Sequence, residues 1–168
     1  MSLGVLNGIN VEELRDYVAS ATQDPMVADR DLVVVGRWVG AERAEVTFPS
    51  GEASAFMGGE NEPSAMKMLL ACLAACDIDL VVNRASLLGV EIKSLTVEAT
   101  GHFNVQRYLG VTSAPGSGYD RIAYTVRLEA PGATREQLAE LQHACEHASP
   151  VADTLRQSVG LTLEFNQS

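Results

Sequence analysis

Three cysteines, Cys72, Cys76 and Cys145, are the side chains of this 168-residue chain best suited to covalent or redox chemistry. The opening residues lack the charged start and apolar stretch of a secretory leader, and an odd number of thiols argues against a disulfide framework. Free or reactive thiols are expected instead. Cys76 has two roles open to it, as a nucleophilic thiolate or as a small hydrophobe packed in a core. Cys72 precedes it by one helical turn. Their Cβ atoms would then lie about 5–6 Å apart, where a disulfide needs roughly 3.8 Å, so Cys72 is expected to pack in the core. His143, Cys145 and His147 raise the question of a metal, because histidines four apart share a helical face. Cys145 projects elsewhere, no third ligand is evident, and histidines commonly complement the dipole of a helix end, so no metal is expected. Ser149, just before Pro150, is expected to cap a helix rather than act as a nucleophile, since no histidine–acid pair is arranged to activate it. No phosphate-binding glycine loop, nucleophile elbow or dinucleotide fingerprint occurs, so no cofactor is expected.

Those residues sit on a recognisable series of elements. Asn10 followed by Glu13 predicts a helix at about 10–22, which Asp24-Pro25 stops. Leu32 to Val39, then Val46 and Phe48, read as two strands joined at Gly40, and Phe56 to Pro63 reads as a loop. From Ser64 to about Leu87 no proline or glycine interrupts a helix that is apolar on every side between Met68 and Cys76, with Asp77 and Asp79 ending the apolar run. Leu95, Val97 and Ala99 alternate with polar residues, as do Ile122, Tyr124, Val126 and Leu128, giving two half-buried strands. A helix opens at Thr134, a second follows Ser149-Pro150 over Val151 to Gln157, and Leu161, Leu163 and Phe165 predict a final strand.

The length suits a single domain spanning residues 1–168. A formal net charge of −10 repels phosphate backbones and anionic lipid surfaces, so neither nucleic acid nor membrane is an expected partner. No stretch reaches the roughly 18 apolar residues of a membrane span, and a cytoplasmic location is the expectation.

Four segments together resemble the OsmC/Ohr family, the osmotically inducible protein C and organic hydroperoxide resistance proteins. They are Gly58-Gly59-Glu60-Asn61, the helix from Met68 to Cys76, Arg107-Tyr108-Leu109-Gly110 and Ser149-Pro150-Val151. The resemblance implies an α+β fold with antiparallel sheets around a long central helix, in an intertwined homodimer with active sites at the subunit interface. It also implies reduction of organic hydroperoxides by two cysteines, the peroxidatic one matching Cys76. The second cysteine of that pattern falls on Ser149, so an internal disulfide would require Cys145, one turn earlier, to reach Cys76. The glutamate that holds the family's arginine falls on Lys67. That lysine either points inward and favours a thiolate or is simply solvated. Arg43 is the first choice for the thiolate-stabilising arginine and Arg37 the second, with a solvent-facing strand position the alternative for each. Two functions follow as expectations. One is a thiol-dependent peroxidase using Cys76 alone with an external thiol reductant. The other is a noncatalytic dimer that binds a small apolar or lipid-like ligand.

Overall fold

The computed structural model describes residues 4–114, 116–157 and 159–165. A small hairpin, β1 (Val5–Leu6) and β2 (Ile9–Asn10), leads into α1 (Val11–Gln23) and a 3-10 turn over Pro25–Ala28. An antiparallel sheet follows, made of β3 (Val35–Gly40), β4 (Arg43–Thr47) and β5 (Ala55–Met57) in that order. The long helix α2 (Ala65–Leu87) then precedes an antiparallel pair, β6 (Ser94–Phe103) and β7 (Tyr119–Glu129). Helices α3 (Arg135–His147) and α4 (Pro150–Arg156) are the last regular elements among the described residues. This is the expected α+β arrangement.

Capping sets most of the helix starts. Asn10 accepts from the amides of Glu12 and Glu13, and Ser64 from that of Lys67. Thr134 and Gln137 form a full capping box, and the Gln137 amide also donates to the Leu88 carbonyl at 3.0 Å, joining α3 to the end of α2. Asp24 ends α1 and caps the following turn through its side chain. Each cap is worth about 1 kcal/mol.

Helix α2 buries one stripe, Leu73, Asp77, Val81 and Ala85, at a constant spacing of one turn. That stripe packs on β6 and α3. Ala85 joins Val90 and Leu141 in a core that Leu88, Ile92, Leu128, Ala130 and Ala133 surround. Burying a leucine or valine such as Leu73 or Val81 contributes about 1.5–3 kcal/mol. On β6 and β7 the expected alternation holds, with Leu95, Val97, Ala99, Ile122, Tyr124, Val126 and Leu128 turned inward. Gly101 leaves room for the Tyr119 ring, which would lie 2.4 Å from an added Cβ. The Tyr119 hydroxyl in turn donates to the Met66 carbonyl at 2.8 Å, fixing the start of α2 against β7.

Several expectations are corrected. The hairpin β1–β2 turns on Asn7-Gly8, both at positive φ, as a two-residue hairpin loop requires. The Asn7 side chain donates to Ser86 and to the Val90 carbonyl and accepts from the Ile92 amide, locking the N-terminal segment to the end of α2. Phe56 and Met57, read as the start of a loop, join Ala55 in a third strand that pairs with β4. The α2 helix is not wrapped all round by its own chain, since Leu69, Cys72 and Ile78 are exposed; Cys72 is therefore no core residue here. Asp77, expected to mark the polar end of the apolar run, is fully buried within it. The final strand is absent, because alternation supplies a face but no hydrogen-bonding neighbour. Leu161, Leu163 and Phe165 are instead 96%, 84% and 76% exposed.

Candidate functional site

Cys76 and Asp77 are consecutive on α2, so their side chains leave the helix about 100° apart. Asp77 enters the buried stripe, with no accessible surface, while Cys76 is only partly covered. The α3–α4 junction brings Ser149 to both. Ser149 is itself fully buried, and Pro150 directly after it starts α4. Its hydroxyl donates to Asp77 Oδ1 and lies 3.7 Å from Cys76 Sγ, while Ala152 N–H donates to Ser149 Oγ at 3.4 Å. Ser149 is thus the expected cap and also the polar link between a thiol and a carboxyl. The remaining carboxyl oxygen, Asp77 Oδ2, is buried without a hydrogen-bond partner. A buried, half-satisfied carboxyl costs stability, so its presence in an otherwise apolar stripe needs a compensating role.

Cys145 is buried nearby on α3. Burial pushes its thiol up, and the negative charge of Asp77 adds to the effect. Tyr124 on β7 is pushed up by the same two causes in the same order, although Arg156 of α4 opposes the shift and donates to its hydroxyl at 3.3 Å. All three cysteines are free. A buried thiol disfavoured as thiolate is poorly suited to resolve an oxidised Cys76.

Arg43 begins β4, and its guanidinium holds Glu62 through Nε at 2.8 Å and Nη2 at 2.7 Å. It also stacks over the Phe56 ring, 4.1 Å from the centroid. The Gly58-Gly59 turn makes this possible. Gly58 has φ +88, and a Cβ there would sit 2.3 Å from the Glu42 carbonyl oxygen; Gly59 N–H donates to Glu62 Oε2 at 3.1 Å. The Arg43 bond, helped by Gly59, holds the Glu62 carboxyl below its ordinary range, and Glu62 raises the arginine in return. The carboxylate partner of Arg43 is therefore Glu62, five residues before Lys67, and sequence reasoning missed it. Within the single chain Lys67 is exposed in the first turn of α2, the solvated one of its two alternatives. Arg37 pairs with Glu45 and faces solvent. The Arg43–Glu62 clamp lies on the sheet β3–β5, on which no helix of this chain packs extensively.

His143, Glu146 and His147 bring ligand atoms within 4.8 Å of one another on the exposed side of α3, so Glu146 is the third donor that sequence spacing had left unnoticed. His147 Nδ1 is bonded to the His143 carbonyl at 3.0 Å, and Glu146 accepts from Gln142. A cavity of 530 Å³ opens between α2, α3 and β7, lined by Val81, Tyr124, Val126, Leu128, Leu141 and Cys145 among others. Cys76 is not part of its wall. No described helix is long and apolar enough to cross a membrane.

The architecture is shared with solved structures of low sequence identity. An OsmC like protein from Mycoplasma pneumoniae superposes with a TM-score of 0.63 at 14% identity, covering 76% of this chain and 89% of its own. An OsmC-like protein from Vibrio cholerae gives 0.56 at 12%, covering 75% and 94%. The organic hydroperoxide resistance protein OsmC from Legionella pneumophila gives 0.53 at 13%, covering 76% and 90%. These define the class as an α+β fold of the OsmC type. The OsmC-like protein family model matches residues 58–164, more than half of the sequence, and the chain belongs to that family. A comparison with curated proteins finds no match.

Proposed function

We propose that this protein reduces organic hydroperoxides through Cys76 as its single reactive cysteine, with an external thiol completing the cycle. The family membership supports an oxidative-stress or hydroperoxide-related role. The observation that carries the specific reading is the partly exposed Cys76 thiol set against a buried serine and carboxyl, where a merely structural cysteine would meet apolar neighbours. The Cys76 thiolate attacks a peroxide oxygen, the O–O bond breaks, and the leaving alkoxide takes up the proton the thiol gave up, so the products are a sulfenic acid at Cys76 and an alcohol. Ser149 cannot resolve that sulfenic acid. A small thiol therefore condenses with it to a mixed disulfide and water, and a second thiol releases Cys76. Such chemistry suits a reducing, cytoplasmic setting.

The same reading includes a homodimer. The open apolar face of α2 and the uncovered sheet bearing the Arg43–Glu62 clamp would then meet a second copy, whose clamp completes the site. Treating the protein with a single equivalent of an organic hydroperoxide, with a sulfenic-acid trap present, tests the chemistry by peptide mass spectrometry. A trapped adduct at Cys76 is the expected result, and an unmodified Cys76 would sink the peroxidase reading. The second reading, a noncatalytic binder of a small apolar or lipid-like ligand, is favoured by one observation, the cavity without Cys76, lined mainly by apolar residues with Thr125, Gln142 and Glu146 among them. An inert Cys76 together with saturable uptake of a fluorescent fatty acid would establish it.

A further inference from the structure

We infer that Cys76, Ser149 and Asp77 form a proton relay in which Ser149 is the catalytic contact to the thiol and Asp77 the positioning residue that takes the proton behind it. The inference rests on the proposed role of Cys76, although its test separates the two. A hydroxyl has one proton. With that proton donated to Asp77 Oδ1, the Ser149 oxygen presents a lone pair to the thiol 3.7 Å away, so the chain runs from Cys76 S–H to Ser149 O–H to the Asp77 carboxylate. Moving one proton along each link leaves a Cys76 thiolate accepting from Ser149 and an Asp77 carboxylic acid donating to it. Both states are hydrogen-bonded throughout, and both carry a single negative charge.

That last point decides between a relay and a static hydrogen bond. A thiolate and a carboxylate on consecutive residues, sharing one buried serine, repel strongly in a poorly screened interior. Deprotonation to solvent would create that pair, whereas transfer to Asp77 avoids it. The titratable groups facing Asp77 from the packed elements are Tyr124 on β7, with Arg156 of α4 at its hydroxyl, and Cys145 on α3. The phenol and the buried thiol are both pushed toward their neutral forms, so neither competes for the charge. The half-satisfied carboxyl in the core stripe acquires its role here. In the peroxide step the thiolate sulfur takes the terminal OH of the hydroperoxide and the O–O bond breaks. The alkoxide then receives the proton stored on Asp77 by way of Ser149, so thiol plus hydroperoxide give sulfenic acid plus alcohol.

The test follows iodoacetamide alkylation of Cys76 against pH by peptide mass spectrometry, in the full-length protein, with an added cysteine-containing peptide as internal reference. Asp77→Asn and Ser149→Ala are each expected to slow Cys76 about tenfold or more at neutral pH and to move its rate–pH curve upward, with the reference peptide unchanged. Ser149→Thr, which keeps the hydroxyl, is expected to retain most of the rate, and should Asp77→Asn fail to fold, the alanine–threonine contrast alone decides. A Cys76 rate unchanged or raised in Asp77→Asn, or equal in the alanine and threonine variants, would overturn the relay. A relay-dependent alkylation rate without any hydroperoxide-derived sulfenic acid would leave the relay standing and remove the peroxidase reading. Sulfenic acid formed equally fast by wild type and Asp77→Asn would do the reverse.

Discussion

Replacing Ser149 by cysteine turns the link between α4 and α2 into a potential covalent one. The serine oxygen already lies 3.7 Å from Cys76 Sγ, and the longer C–S bond brings the new sulfur closer still. A disulfide needs the two sulfurs at roughly 2.05 Å, so the side chains must still rotate toward each other. The two positions are 73 residues apart, and closing a loop of that length removes denatured-state entropy worth about 4 kcal/mol. The substitution also has a cost. Asp77 Oδ1 loses a hydroxyl donor and keeps only a weak thiol one, which for a buried carboxyl is about 1–3 kcal/mol. The reduced variant should therefore be less stable than wild type by about 1–3 kcal/mol, and the oxidised variant more stable than its own reduced form by about 4 kcal/mol. Urea unfolding with and without reductant reads both differences, and peptide mapping locates the bridge. A disulfide-exchange oxidant should close it, and so should a single equivalent of organic hydroperoxide. Failure with both oxidants would refute the placement of Ser149 beside Cys76. Closure by the exchange oxidant alone would keep the geometry and, where wild-type Cys76 is still trapped as a sulfenic acid, would trace the failure to the lost Ser149 hydroxyl.

Gly58→Ala should destabilise the protein by about 2–4 kcal/mol, because a left-handed φ and a Cβ pressed into the Glu42 carbonyl act together; a loss under about 0.5 kcal/mol in urea unfolding would refute this. Glu62→Gln tests the clamp through pH. The Glu62 carboxyl is held low in the folded state, so its contribution is whole above the unfolded carboxylate value of about 4.3 and is lost as pH falls through the lower folded value. The stability gap between wild type and variant should stay constant from about pH 6 to 8 and shrink below about pH 4, and a gap that persists to about pH 2 would contradict the assignment. Leu69→Lys, on the open face of α2, should convert a dimer to monomer in sedimentation at micromolar concentration, whereas a stably folded wild-type monomer would dispose of the dimer.

Helix positions and the β6–β7 face were legible because caps, prolines and alternation are local signals, and Asn10, Ser64, Thr134 and Ser149 all cap as their types imply. The hairpin at Asn7-Gly8 was missed although its turn pair is a strong local cue, since strands of two residues are too short to show alternation. Asp77 could have been found by counting turns from Leu73 to Val81, which places it in the buried stripe rather than at the end of the helix's apolar stretch. Glu62 could not be found that way. Its pairing with Arg43 depends on how the Gly58-Gly59 turn folds back on Glu42, a close approach of backbone that spacing does not encode. The C-terminal alternation failed for the opposite reason, being a local pattern whose fulfilment needs an external edge.

The uncovered surfaces are related to one another. Leu69, Cys72 and Ile78 leave one side of α2 open, Trp38 is 75% exposed on the sheet β3–β5, and Leu161, Leu163 and Phe165 alternate without a strand beside them. Each is apolar area that a chain folding alone would be expected to bury, at about 25 cal/mol for every Å². A helix face can meet its own copy about a two-fold axis, and an unpaired alternating segment can add to a sheet in another subunit. On that arrangement the Arg43–Glu62 clamp, on a sheet against which no helix of its own chain packs extensively, would approach the Cys76 thiol of the partner. A guanidinium held by Glu62 and Phe56 and delivered across the interface would favour the thiolate electrostatically, while the relay removes its proton from within the same subunit. Two separate parts of the sequence would then serve one reacting sulfur, the clamp acting on its charge and the serine–aspartate pair on its proton.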